Sequence, residues 1–214
     1  MTSYQNSMSR RDRIVLAIRL SYAVLQFHST PWIESNWSWK DFTTVMNGGQ
    51  PQIEDPLFIS HDFYSSLYQT SKPQPRTATS LVLWATIGEE TLTRLGFALI
   101  ELGLGKRLSE LREDGSIPPD PRMRTTTDGD FLDLWTVEGV LDSGLLYNEQ
   151  CEDYEEVVRV LIRHEYMENC EKRSLNSRKE SFYRDVEQFV IAPLYSLWSV
   201  LWGNRMSQAS TVFL

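Results

Sequence analysis

Apolar residues recur at helical spacing along most of the chain. Leu16, Leu20, Ala23, Val24 and Phe27 share one helix face, and Ser9 with Asp12 supplies a capping box for its start. Pro31 ends that helix. Leu92, Leu95, Ala98, Leu99 and Leu102 form a second such face. Thr86-Ile-Gly-Glu89 reads as the box that opens it, and Gly103 or Gly105 as its stop. Arg107 to Arg112 predicts a short amphipathic helix. Asp128 caps a helix through Phe131, Leu134, Trp135 and Val140. Glu152 to Met167 predicts a strongly amphipathic helix with Val157, Val158 and Leu161 inward. Ser177-Arg-Lys-Glu180 caps a last helix that reaches about Gly203, with a kink at Pro193.

The stretches between these helices carry turn chemistry. Ser38 to Asp41 predicts a capped turn ending near Met46. Residues 47–58 read as a loop with Gly48-Gly49, Pro51 and Pro56, and Phe58 to Ser60 as extended. Residues 70–79 read as a second loop, and the Pro-, Asp- and Thr-rich stretch 113–129 as mobile. No alternating run is long enough to predict a sheet, and no internal repeat is present. The expected fold is mostly α: a single helical domain over 9–203, a flexible N-terminus 1–8 and a tail 204–214.

Composition narrows the function classes. Hydrophobic residues make up 41% of the 214, enough for a packed core rather than a disordered chain. The net charge of −8 argues against a general binder of nucleic acid or of anionic membrane. No apolar run reaches the roughly 18 residues that span a bilayer. The polar N-terminus carries Arg10, Arg11 and Arg13 but no signal-peptide cleavage pattern. Two cysteines, Cys151 and Cys170, are too few for a disulfide framework, which suits an intracellular, reducing compartment.

Candidate chemistry is sparse. Cys151, Cys170, His61 and His164 lack the spacing of a metal site. There is no Gly-x-Ser-x-Gly elbow and no Gly-x-Gly-x-x-Gly loop. His28, at a helix end, reads as structural, bonded to a backbone carbonyl. Glu149, Glu152, Asp153, Glu155 and Glu156 read as a solvated helix start favoured by the helix dipole, with docking of a basic partner as the alternative. No catalytic residue, cofactor or metal is expected.

Three segments carry a resemblance. Leu25-Gln-Phe-His-Ser-Thr-Pro-Trp-Ile33, Asn36-Trp-Ser-Trp39 and Leu95-Gly-Phe-Ala-Leu-Ile-Glu-Leu-Gly-Leu-Gly-Lys106 resemble the motifs of a fungal family of unknown function. The likeness covers roughly residues 9–203. In order, the segments also resemble two landmark helices of a protein-kinase C-terminal lobe. That resemblance implies a C-lobe without an N-lobe, so the Gly-rich loop and the ATP-contacting lysine strand have no counterpart. Where a kinase carries His-Arg-Asp, this chain has His28-Ser-Thr-Pro-Trp-Ile-Glu-Ser-Asn. His61-Asp62-Phe63 resembles the metal-binding Asp-Phe-Gly, with Tyr64 in place of the glycine. Phosphoryl transfer rests on positioning and charge, so the resemblance implies a silent, pseudokinase-like shell.

Partner surfaces are the remaining expectation. In the last helix, Leu194, Leu197, Trp198, Leu201 and Trp202 cover much of the circumference, more than a small domain usually buries. Leu194, Trp198, Leu201 and Trp202 are therefore candidate contacts for a protein partner or for self-association. The tryptophans Trp32, Trp37 and Trp39 are either core under the first helix or an exposed anchor at an interface. The function expected is an inactive interaction module, an adaptor or accessory subunit. The alternatives are an enzyme of unrecognised chemistry and a nucleic-acid-associated protein using the basic N-terminus.

Overall fold

The computed structural model describes residues 8–28, 30, 32–33, 37–38, 41–44, 55, 57–59, 78–87, 89–118, 120–163 and 183–203. These are mostly helical. Helix α1 spans Arg10–Phe27. Strands β1 (Phe42–Thr44) and β2 (Leu57–Ile59) pair antiparallel, with Phe42 opposite Ile59 and Thr44 opposite Leu57. Then come α2 (Ala78–Ile87), α3 (Glu90–Leu104), α4 (Leu108–Glu113), a 3-10 turn (Pro121–Arg124) and α5 (Gly129–Ser143). Helices α6 (Leu145–Glu149) and α7 (Glu152–Arg163) follow. Helix α8 (Ala192–Trp198) lies between two π-helical turns, Glu187–Ile191 and Ser199–Gly203.

Helix α3 is the axis of the domain, packed between α1 and α7. Leu92, Leu95, Leu99 and Ile100 are completely buried, each stabilising the fold by about 1.5–3 kcal/mol. Two glycines set its distance from the neighbouring helices. A Cβ on Gly96 would stand 2.7 Å from Ile162 Cδ1, and one on Gly103 would stand 2.8 Å from Leu146 Cδ1. The Gly103 carbonyl, in the last turn of α3 where intrahelical donors run out, accepts Gln150 Nε2 at 2.6 Å and Arg13 Nη1 at 2.9 Å. Gly105 ends the helix with φ of 65°, a left-handed conformation that favours glycine. Tyr154, fully buried on α7, donates its hydroxyl to the Leu99 carbonyl at 2.8 Å.

The amphipathic helices fall where the pattern puts them. Ser9 caps α1 by accepting the Asp12 N–H at 3.2 Å, and Asp128 caps α5 by accepting the Asp130 N–H at 3.1 Å. Helix α7 begins at Glu152, and the stretch beyond Arg163 lies outside the described residues. So does the predicted cap at Ser177 to Glu180.

Several local expectations are corrected. Helix α1 stops at Phe27, four residues short of Pro31. The Thr30 hydroxyl donates to the Phe27 carbonyl at 2.6 Å and closes that end first. Thr86 does not cap α3: it lies inside α2 and bonds the Val82 carbonyl, while Glu89 precedes α3 without a side-chain cap. Residues 78–87 form a helix because Leu83 and Trp84 reach the core, although the contiguous apolar run shows no helical period. The turn at Ser38–Asp41 leads into a strand: the Ser38 N–H donates to Asp41 at 2.6 Å, and β1 follows. The stretch expected to be mobile is folded over most of its length. Ile117 is buried in the core, and Asp120 caps the 3-10 turn by accepting the Arg122 N–H at 2.8 Å. The kink expected at Pro193 takes the form of a π turn just before it. Ala192 donates to the Glu187 carbonyl, five residues back, ahead of a residue with no N–H to give.

Candidate functional site

The first turn of α5 faces α2 and α3 across a charged cluster. Asp130 Oδ2 accepts the Trp84 indole N–H at 2.9 Å and the Ser80 hydroxyl. Asp130 Oδ1 accepts Arg94 Nη2 at 2.9 Å, and Arg94 Nε donates to Glu90 Oε1 at 2.9 Å. The Arg94 guanidinium lies 5.0 Å above the Trp84 ring. Burial pushes the Asp130 carboxyl up. The bonds from Ser80 and Trp84 and the Arg94 charge outweigh it and hold Asp130 below the ordinary carboxylate value.

Asp133, one turn on, goes the other way. Burial raises it, and the Arg112 guanidinium at 2.7 Å offsets only part of that rise. Arg112 also donates to Thr136 Oγ1 at 3.0 Å. Asp133 and Arg94 line a cleft of about 180 Å³ with Trp37, Ser38, Phe97 and Glu101. Its volume is below that of ordinary small-molecule sites. Chemically it offers one carboxyl that keeps its proton to higher pH and one guanidinium already committed to two carboxylates.

The predicted partner-binding residues separate by burial. Leu194 is fully buried, and Trp37 is in the core with its indole N–H on the Thr91 carbonyl at 3.1 Å and its ring edge-on to Phe42. Trp198 and Trp202 are half-buried against the core. Leu201 is 38% exposed and Trp32 46%. Trp39 lies outside the described residues. Beside Leu201, the segment also exposes Tyr195 at 46% and Val200 at 72%. Trp32 is one side of the first tryptophan group and Trp37 the other, so that group is part surface and part core.

His28 pairs with a carboxylate: its Nε2 lies 3.0 Å from Glu89 Oε1. Tyr183 donates to the His28 carbonyl at 3.3 Å, which ties the end of α1 to the C-terminal segment. The acidic run is not uniformly solvated. Glu155 is buried, accepting the Tyr147 N–H at 2.9 Å and pairing with Arg159, and Glu149 meets Arg13 at 3.3 Å. Arg13 also donates to the Met8 and Gly103 carbonyls, so the fold uses it. His61, Asp62, Phe63, His164 and Cys170 lie outside the described residues, and Cys151 is a free thiol. Among the described residues no group of three or more His, Cys, Asp or Glu is arranged to hold a metal ion.

Sequence reasoning did not single out Arg94, Arg112, Asp130 or Asp133. The available signal was weak: only Arg94 is set on an otherwise apolar stretch of its helix, a pattern that asks for a buried partner.

A mostly helical domain, with a charged cleft and an exposed apolar C-terminal segment, is the class this geometry defines. The chain belongs to the family described as a domain of unknown function, DUF7580, which matches residues 1–194. Comparison with curated proteins and with solved structures finds no match. Among the described residues no helix is long and apolar enough to cross a membrane.

Proposed function

We propose that the chain is a catalytically silent protein-interaction module, an adaptor or accessory subunit of an intracellular fungal complex. We propose further that its helical scaffold derives from a protein-kinase C-terminal lobe. The observation that carries the interaction reading is the C-terminal segment. Leu194 and Leu197 anchor it in the core, while Tyr195, Val200 and Leu201 stand in solvent on the same short stretch. Large apolar groups clustered in this way favour burial against a second surface. The lobe reading is supported by the order of the two resembling segments, which fall on α1 and α3, and the catalytic silence by the absence of a His-Arg-Asp triplet in the sequence after α1.

The test is the double substitution Val200→Asp and Leu201→Asp. Both side chains are exposed, so the melting temperature should hold. Pull-down from host extract and sedimentation should then lose a stoichiometric partner or lose self-association. Unchanged capture and unchanged mass with the fold intact would remove this surface from consideration.

A second reading, an enzyme of unrecognised chemistry, draws on Asp133. A carboxyl raised by burial in a cleft beside a guanidinium is a pattern of proton-transfer sites. The small cleft and the full engagement of Arg94 weigh against it. Asp133→Asn separates the two readings: an interaction module keeps its partner.

A further inference from the structure

The 3-10 turn folds back along α5 and leaves an open cleft of about 330 Å³. Trp135, Glu138, Gly139 and Asp142 share one face of α5 by helical spacing, and Gly139, lacking a side chain, gives the cleft its depth. Arg122 reaches in from the turn. Its guanidinium lies 5.1 Å above the Trp135 ring. Its Nε donates to Asp120 Oδ2 at 2.8 Å, and its Nη2 donates to Asp120 Oδ2 at 2.6 Å and to Glu138 Oε2 at 2.8 Å.

Asp120 and Glu138 pair with this guanidinium, and a third carboxylate, Asp142, lines the same cleft. Asp142 has no ion-pair partner among the described residues. The cleft therefore keeps two uncompensated negative charges (three minus one) beside an indole face. That combination repels phosphate and attracts a cation with a flat, apolar face. A guanidinium fits it better than an ammonium, because it stacks on the ring and forks to two carboxylates at once.

We propose that this cleft is a recognition site for an arginine side chain of a basic peptide, and that Arg122 is its intramolecular occupant. Arg122 is 53% exposed, and exposed ion pairs contribute little to folding. It can therefore leave the Trp135 face without unfolding the turn, which Asp120 still caps through the Arg122 backbone N–H. The protein's net charge of −8 speeds the approach of a basic partner. This site is separate from the C-terminal surface and stands or falls independently of it.

The experiment uses the full chain and a blocked Gly-Arg-Gly tripeptide, with blocked Gly-Glu-Gly as the control. The indole N–H resonance of Trp135, assigned with Trp135→Phe, reports binding. The arginine peptide should give a saturable shift and the glutamate peptide none. Arg122→Ala should tighten binding about tenfold by removing the occupant, with an unchanged melting temperature. Asp142→Asn should weaken binding about threefold, with a steeper loss in salt for the wild type than for the variant. Gly139→Leu should fill the cleft and abolish the shift. No saturable shift with Arg122→Ala, or equal response to both peptides, overturns the site. Weaker binding by a folded Arg122→Ala variant overturns the role given to Arg122.

Discussion

Among the described residues two arginines sit over tryptophans, each held by two carboxylates. Arg94 stacks on Trp84 at 5.0 Å between Glu90 and Asp130, and Arg122 stacks on Trp135 at 5.1 Å between Asp120 and Glu138. The local geometry is nearly the same; the surroundings are not. Arg94 is 18% exposed and Arg122 53%. Around Arg94, Trp84 is core, the Trp84 and Ser80 donors complete the shell of Asp130, and removing the cation would strand charges in a dry setting. Around Arg122, water can replace every contact. The same constellation is thus a structural tie in one place and an exchangeable contact in the other, and burial decides which.

The largest effect that separates the two belongs to the tryptophans. Trp84→Ala should cost about 3–5 kcal/mol in chemical denaturation, and half-buried Trp135→Ala less than half of that. Equal losses would break the contrast. Arg94→Ala should cost about 3 kcal/mol, because Asp130 and Glu90 then lose their cation in a partly dry site. Arg122→Ala should leave the denaturation midpoint where it is. A matching loss at Arg122 would mean that the outer cluster also holds the fold together.

Titration sharpens the picture within α5. Asp130 is held below the ordinary carboxylate value, so the unfolded chain takes up that proton first. Its contribution is present above the ordinary carboxylate range and is lost as the pH falls through the lowered folded value. Asp133 is raised, so its folded form takes up the proton first. Its contribution is present in acid and is lost as the pH climbs from the ordinary carboxylate value through the raised folded one. Melting curves from acid to neutral pH should show it: Asp133→Asn gains on wild type as the pH rises through that upper window, and Asp130→Asn loses on wild type as the pH rises through the window below the ordinary carboxylate value. Parallel curves for all three proteins would refute both assignments.

The smallest effect tests the open cleft directly. A Cβ on Gly139 would meet Ile117 only at 3.6 Å, an ordinary contact. Gly139→Ala should therefore stabilise α5 by about 0.5–1 kcal/mol from helix propensity alone. A loss of stability would show that the cleft floor is tighter than its geometry.

Much of the helical frame was legible because amphipathic periods and polar caps act locally. Ser9, Asp128 and Gly105 mark helix ends by chemistry that needs no distant partner. Helix α2 was not legible, since its block of apolar residues has no period until Leu83 and Trp84 find the core. The β1–β2 ladder was half legible. Phe58 reads as extended, but three-residue strands carry too few positions to show alternation. The charged cluster was hidden for a different reason: its members come from residues 80, 84, 90, 94 and 130, and only the packing of α2, α3 and α5 brings them together. The tryptophan group divides in the same way. Trp37 and Trp32 lie five residues apart on opposite sides of the burial boundary, which spacing alone does not specify.

The π turns that bracket α8 act as phase shifters. Each holds one residue more than an α-helical turn would need, so the first rotates α8 by about 100° relative to an unbroken helix. Which side chains of α8 face solvent is thus set by a single-residue insertion as much as by the side chains themselves. Deleting one residue within Glu187–Ile191 would leave composition almost untouched. It would swing Leu194 and Leu197 out of the core and turn a different set of side chains toward α1 and α7. In this protein, a one-residue change in length here is a change of face.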